Sequence, residues 1–186
     1  PVYTSFSNHV TRLGMSMVIF DRLKPSLAAA TLELFELKKL GLDPEYGVDQ
    51  YFFNRARKRG DRIVPLETVD FQVNLATEFS QAEGELLMKS SLEEIDETRK
   101  LFGKMITAWK TGDSKALARL LNSSMRETPS IYKRLVTDRN KRWVPKIEEL
   151  LRGKQNAIVI VGAGHLVGKE GVVELLRKRG WRIVQL

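Results

Sequence analysis

The sequence predicts an α/β fold with an excess of helix: short, mostly parallel strands flanking a helical middle region. Three observations carry that expectation. Residues 157–161, Ala-Ile-Val-Ile-Val, form a short, largely β-branched run that ends in Gly162, Ala163, Gly164 and His165, the pattern of a buried strand handing over to a glycine-permitted turn. Residues 169–179 then read as an amphipathic helix stopping at Gly180, and residues 181–186 as another strand, so 157–186 is expected to be a right-handed β-α-β unit. Between residues 25 and 151, apolar residues recur at helical rather than alternating spacing.

In chain order, Pro25 opens a helix through Ala28, Leu32 and Phe35 that stops at Gly41, with proline in its tolerated first turn. Gly47 begins a second helix ending near Gly60. Residues 62–66 read as a short strand delivering Glu67, and 68–79 as a helix. Residues 83–110 form one long or broken helix with Leu86, Leu87, Ile95, Leu101, Met105, Ile106 and Trp109 as its apolar positions, broken at Gly112 and Asp113. Helices over 114–125, 129–136 and 140–151 follow. There is no internal repeat, low-complexity segment or flexible linker, which points to one domain over residues 1–186.

The composition narrows the function classes. With 186 residues, 42% of them hydrophobic, the chain can bury a core. It has no cysteine, which excludes disulfides and thiolate metal sites. No run approaches the roughly 20 apolar residues that cross a bilayer. The start, Pro1 to Ser5, is neither a signal peptide nor preceded by methionine, which points to a processed or truncated chain. The net charge is +8. Its basic groups, as at residues 55–59 and 177–179, sit where helices end and complement the helix dipole, so no nucleic-acid partner is expected.

His165 is the foremost candidate for chemistry. The carboxyl end of a strand is where open α/β sheets place ligands, and a helix amino terminus disfavours imidazolium, leaving the neutral form that binds a metal or takes a proton. The alternative is a capping or packing histidine. Glu67, at a second strand end, could bind an ion or take a proton, or could cap the helix after it. Asp138, Arg139 and Asn140 could supply a cation and an amide to an oxyanion, or begin a helix. His9 reads as a surface residue. A dinucleotide fingerprint fails, because Gly162 and Gly164 are followed by Val167 where glycine or alanine is required. A metal site takes three or more protein ligands, more than one histidine and one glutamate supply.

An ordered series of motifs then carries a resemblance: Gly47-Val48-Asp49; Leu66-Glu67-Thr68 with Gln72; Trp109 with Gly112-Asp113; Arg139-Asn140 with Trp143; and Gly162-Ala163-Gly164-His165 with Gly168. The chain resembles the TraB/GumN family, which includes Tiki-type metalloproteases and is distantly similar to erythromycin-esterase-like and ChaN-like proteins. The family carries two G-x-x-H motifs, of which Gly162 to His165 matches the second. The resemblance therefore implies the carboxyl-terminal two-thirds of a larger domain, with the first motif and its acidic companion in an upstream segment. It implies an erythromycin-esterase/ChaN-like fold and a metal-dependent, peptide-cleaving hydrolase. His165 and Glu67 would lie in the active centre and bind manganese, cobalt or zinc, with Arg139 as basic partner and Gly162, Gly164, Gln72 and Asn140 in support. It also implies a peptide or small-molecule substrate, a possible homo-oligomer, and export to the periplasm or cell envelope. The alternative on the same fold is a non-catalytic protein that holds a peptide, a haem-like ligand or a partner.

Overall fold

The computed structural model describes residues 1–122 and 128–186, with the side chains of residues 94, 96–98 and 122 outside the description. Two compact units divide the chain, residues 1–101 and 102–186. The helix expected over 114–125 is described as far as Asn122, and the rest of that expectation lies outside the described residues.

The first unit begins with α1 (Val2–Arg12), a segment whose helical signal is the spacing of Phe6, Val10 and Leu13. A 3₁₀ turn (Met17–Ile19) leads to α2 (Pro25–Lys39), with Pro25 at the first helical position. A second 3₁₀ turn (Pro44–Tyr46) precedes α3 (Val48–Arg59), whose last turn carries Arg57, Lys58 and Arg59. It is closed by Gly60 at φ 72°, a left-handed conformation that glycine adopts without strain. Then follow α4 (Val69–Thr77), capped by the Thr68 hydroxyl accepting from the Phe71 amide, and α5 (Gln81–Thr111), whose last turns belong to the second unit.

Phe6, Val10, Phe20, Ala28, Ala29, Leu32, Met88 and Ile95 form one core, with the Phe6 and Phe20 rings edge to face at 5.1 Å. The Ser26 hydroxyl and the Lys24 ammonium, at the start of α2, donate to the carbonyls of Ala76 and Thr77 at the end of α4. These two bonds satisfy carbonyls that a helix end leaves without intrahelical partners.

His9, expected at the surface, is buried in this unit. Its Nε2 lies 2.8 Å from Glu36 Oε1, while Arg99 donates to Glu36 Oε2 at 2.6 Å and Arg12 approaches His9 Nδ1 at 3.3 Å. Burial pushes the Glu36 carboxyl up, but the hydrogen bonds from His9 and Arg99 outweigh it and hold the group below its ordinary value. The Ser91 hydroxyl donates to Glu33 nearby in sequence to this cluster. The surface reading of His9 failed because a lone histidine on an otherwise apolar stripe carries no mark of the carboxylate that will meet it.

In the second unit, α6 (Ser114–Asn122) begins after Gly112, at φ 69°, with the Asp113 carboxylate accepting from the Ala116 amide. A single helical run then covers residues 129–152. It comprises α7 (Pro129–Tyr132), a wide π-helical turn (Lys133–Thr137) and α8 (Asp138–Arg152), which holds Pro145 in its interior. The short α9 (Ala163–Leu166) and α10 (Val172–Lys178) complete the chain. Ile131, Val136, Trp143, Val144, Ile147, Val172 and Leu176 are buried, with α10 packed on α8 and α9 on α6. Glu148 is buried too, accepting from Arg179 at 2.7 Å and from the Trp181 indole at 2.9 Å, and these bonds lower its pKa to about 2.

The α/β expectation is overturned: among the described residues there is no strand and no sheet. Residues 62–66, 157–161 and 181–186 are irregular, so neither the β-α-β unit nor parallel strands exist there. A β-branched run sets a backbone preference, but a strand also needs a neighbour whose amides and carbonyls align with its own. None of the described residues provides one. Nor are these runs buried, since Ile158 is 73% and Val184 64% exposed. The helix expected over 169–179 also starts late, at Val172, because residues 167–171 form a turn containing Gly168 at φ 84°. Gly171 sits so close to this turn that a Cβ there would lie 2.5 Å from the Leu166 carbonyl oxygen.

Candidate functional site

The candidate residues fall into two groups, one in each unit. In the first, Glu67 is half-buried just before α4, and the Gln72 side-chain amide donates to its Oε2 at 3.0 Å. Capping of α4 falls to Thr68, not to Glu67.

The second group forms where the start of α8 faces the loop of residues 162–171. Gly162 precedes α9, and the His165 amide donates to the Gly162 carbonyl at 2.9 Å, closing the glycine turn into one helical turn. His165 is half-buried. Its ring lies 4.5 Å from the Trp143 ring, and its Nε2 is 3.3 Å from Arg139 Nη1. Arg139 and Trp143 are four residues apart on α8 and so share a face, with the guanidinium 4.9 Å from the indole centroid. Arg139 Nη1 also donates to the Leu135 carbonyl at 3.2 Å.

Asn140 is fully buried and touches the loop three times. Its Oδ1 is 2.7 Å from His165 Nδ1, and its Nδ2 donates to the carbonyls of Glu170 at 2.8 Å and His165 at 3.3 Å. The Glu170 carboxylate accepts from the Thr137 hydroxyl at 2.6 Å. Burial, and then the negative charge of Glu170, hold the Tyr132 phenol above its ordinary pKa.

Thus Arg139, Asn140 and His165 converge, together with Gly162 and Gly164. Trp143, Thr137 and Glu170 were not among the predicted site residues. Trp143 enters the sequence reading only as a motif companion of Arg139-Asn140, and its i, i+4 spacing from Arg139 is the signal that puts it on the same face. Thr137 and Glu170 are 33 residues apart and leave no local trace. His165 does not open α10 but lies in the single turn α9.

The donor set of this unit does not suit a divalent ion. Both nitrogens of the His165 ring are engaged, Nδ1 facing Asn140 Oδ1 and Nε2 facing Arg139 Nη1. Among the described residues no three histidine, aspartate or glutamate side chains converge as metal ligands. A shallow groove lined by Ile147, Leu150, Leu151, Ala157 and Val159 lies elsewhere in the unit and includes none of these residues.

Fold and site together define a helical protein with an imidazole–guanidinium pair seated on a tryptophan. The TraB/PrgY/gumN family matches residues 2–185, and the chain belongs to that family. It is similar to the uncharacterized protein YbaP of Escherichia coli (strain K12) and to YbaP of Shigella flexneri. Each is 25% identical over 170 residues, which cover 91% of this chain and 62% of the relative. The chain thus spans under two-thirds of the length of these curated relatives. No solved structure matches it significantly.

Proposed function

We propose that the chain carries part of a hydrolase centre acting on peptides, in which His165 takes a proton from water and Arg139 stabilises the negative charge that develops on the substrate. The observation supporting this is the 3.3 Å approach of Arg139 Nη1 to His165 Nε2. At rest the Nε2 lone pair accepts from Arg139, so the guanidinium passes to the substrate oxygen as the ring takes the proton, and the negative charge developing there offsets the two cations. Trp143 backs both groups. Glu67, in the other unit, is proposed from the family resemblance alone, and Glu67→Gln tests it separately.

The test uses the full-length protein and a mixed peptide library read by mass spectrometry. Wild type is expected to cleave, His165→Ala to lose about 10²–10⁴-fold, and Arg139→Ala about 10²–10³-fold. Unchanged cleavage by His165→Ala overturns the reading.

The cation–tryptophan stack favours a second reading, a non-catalytic site that holds the carboxylate of a peptide or haem-like ligand. Absence of cleavage by the wild type, with peptide binding weakened in Arg139→Ala, would establish it.

A further inference from the structure

We infer that Asn140 is a positioning residue that fixes which nitrogen of His165 carries the proton. The side-chain amide has one group that only donates and one that only accepts, so its orientation follows from its partners. Two main-chain carbonyls, those of Glu170 and His165, face one end of it. Carbonyls cannot donate, so that end is the NH₂. The opposite end, 2.7 Å from His165 Nδ1, is therefore the carbonyl oxygen, and Nδ1 must bear a hydrogen to meet it. Full burial of Asn140 makes each of these bonds obligatory, because no bulk water can replace them.

The other face of the ring agrees independently. A guanidinium has donors and no acceptor, so Arg139 Nη1 at 3.3 Å requires a lone pair on Nε2. A ring with hydrogen on Nδ1 and a lone pair on Nε2 is neutral imidazole in its less common tautomer. The same amide ties the His165 and Glu170 carbonyls to α8, so tautomer and loop position are set by one side chain. Its value for catalysis rests on the reading of His165 as a base, since it leaves Nε2, once Arg139 releases it, the nitrogen that can take a proton. The tautomer itself does not rest on that reading.

The test is the ¹⁵N spectrum of the histidine rings in the full-length protein. His165 is assigned by the signals lost in His165→Gln. Wild type, above the imidazole titration, is expected to show Nδ1 protonated and Nε2 bare. Asn140→Asp, which keeps an acceptor at Nδ1 and adds charge, is expected to raise the His165 titration midpoint by about one pH unit or more. Asn140→Leu is expected to release the ring toward the Nε2–H form. A wild-type ring protonated mainly on Nε2, or a midpoint unmoved in Asn140→Asp, overturns the inference. The wild-type spectrum decides even where a variant fails to fold. Loss of the catalytic reading through an active His165→Ala leaves this result standing, so the two fail separately.

Discussion

His165 and Arg139 meet across 3.3 Å while resting on the same indole, so the geometry of the pair depends on Trp143. That ring is buried as well as shared. Trp143→Ala is expected to cost about 3–5 kcal/mol of stability in urea titration, the range for a buried tryptophan. Trp143→Phe, which keeps an aromatic face, should recover most of it and preserve the His165 ring signals.

The core of the first unit makes a similar prediction without any bearing on the site. Leu32 is fully enclosed among Phe6, Val10 and Ala29. Leu32→Ala should destabilise by about 2–5 kcal/mol, depending on how far the cavity collapses, measured by denaturant midpoint at constant slope.

Two glycines should respond to alanine for different reasons. Gly60 has open space where a Cβ would go but sits at φ 72°, so Gly60→Ala should cost about 1–2 kcal/mol from backbone strain alone. Gly171 has an ordinary φ of −66°, yet its Cβ would fall 2.5 Å from the Leu166 carbonyl oxygen and 2.6 Å from that of Val167. Gly171→Ala should therefore shift the loop after His165, visible as a change in the His165 ring resonances that Gly60→Ala does not produce.

Acid should weaken both units. Glu148 is held at about 2 against an ordinary 4.5, so its ionised form contributes stability that is fully present above pH 4.5 and lost as the pH falls toward 2. Glu36 is lowered as well and acts in the same direction. Thermal unfolding followed between neutral pH and this window should show a falling midpoint, and Glu148→Gln should flatten the part of the decline due to the second unit.

Local punctuation was readable from the sequence, and long-range pairing was not. Pro25 at the head of α2, Gly60 at the foot of α3 and the Gly112-Asp113 break each act within a few residues, where steric rules suffice. Arg139 and Asn140 stand out locally as a cation beside an amide, and the resemblance to a family is what joins them to His165. Residues 157–161 were misread because β-branched content expresses a preference that only a neighbouring strand can realise. The late start of α10 follows from the close approach at Gly171, which depends on where the preceding loop lies. His9 was misplaced because Glu36, 27 residues away, decides its environment.

The wide turn over Lys133–Thr137 makes the winding of the chain a constraint in its own right. Each residue of an α-helix turns the chain by about 100°, and the wide turn takes up about one residue more than a regular one. Winding the same residues as regular helix would swing the Tyr132 side of the run against the Asn140 side by an angle of that order. Asn140 would no longer reach the carbonyls of His165 and Glu170 while Ile131 kept its place in the core. Exposed Lys133 can change identity within the turn, but the winding between Ile131 and Asn140 has no such latitude.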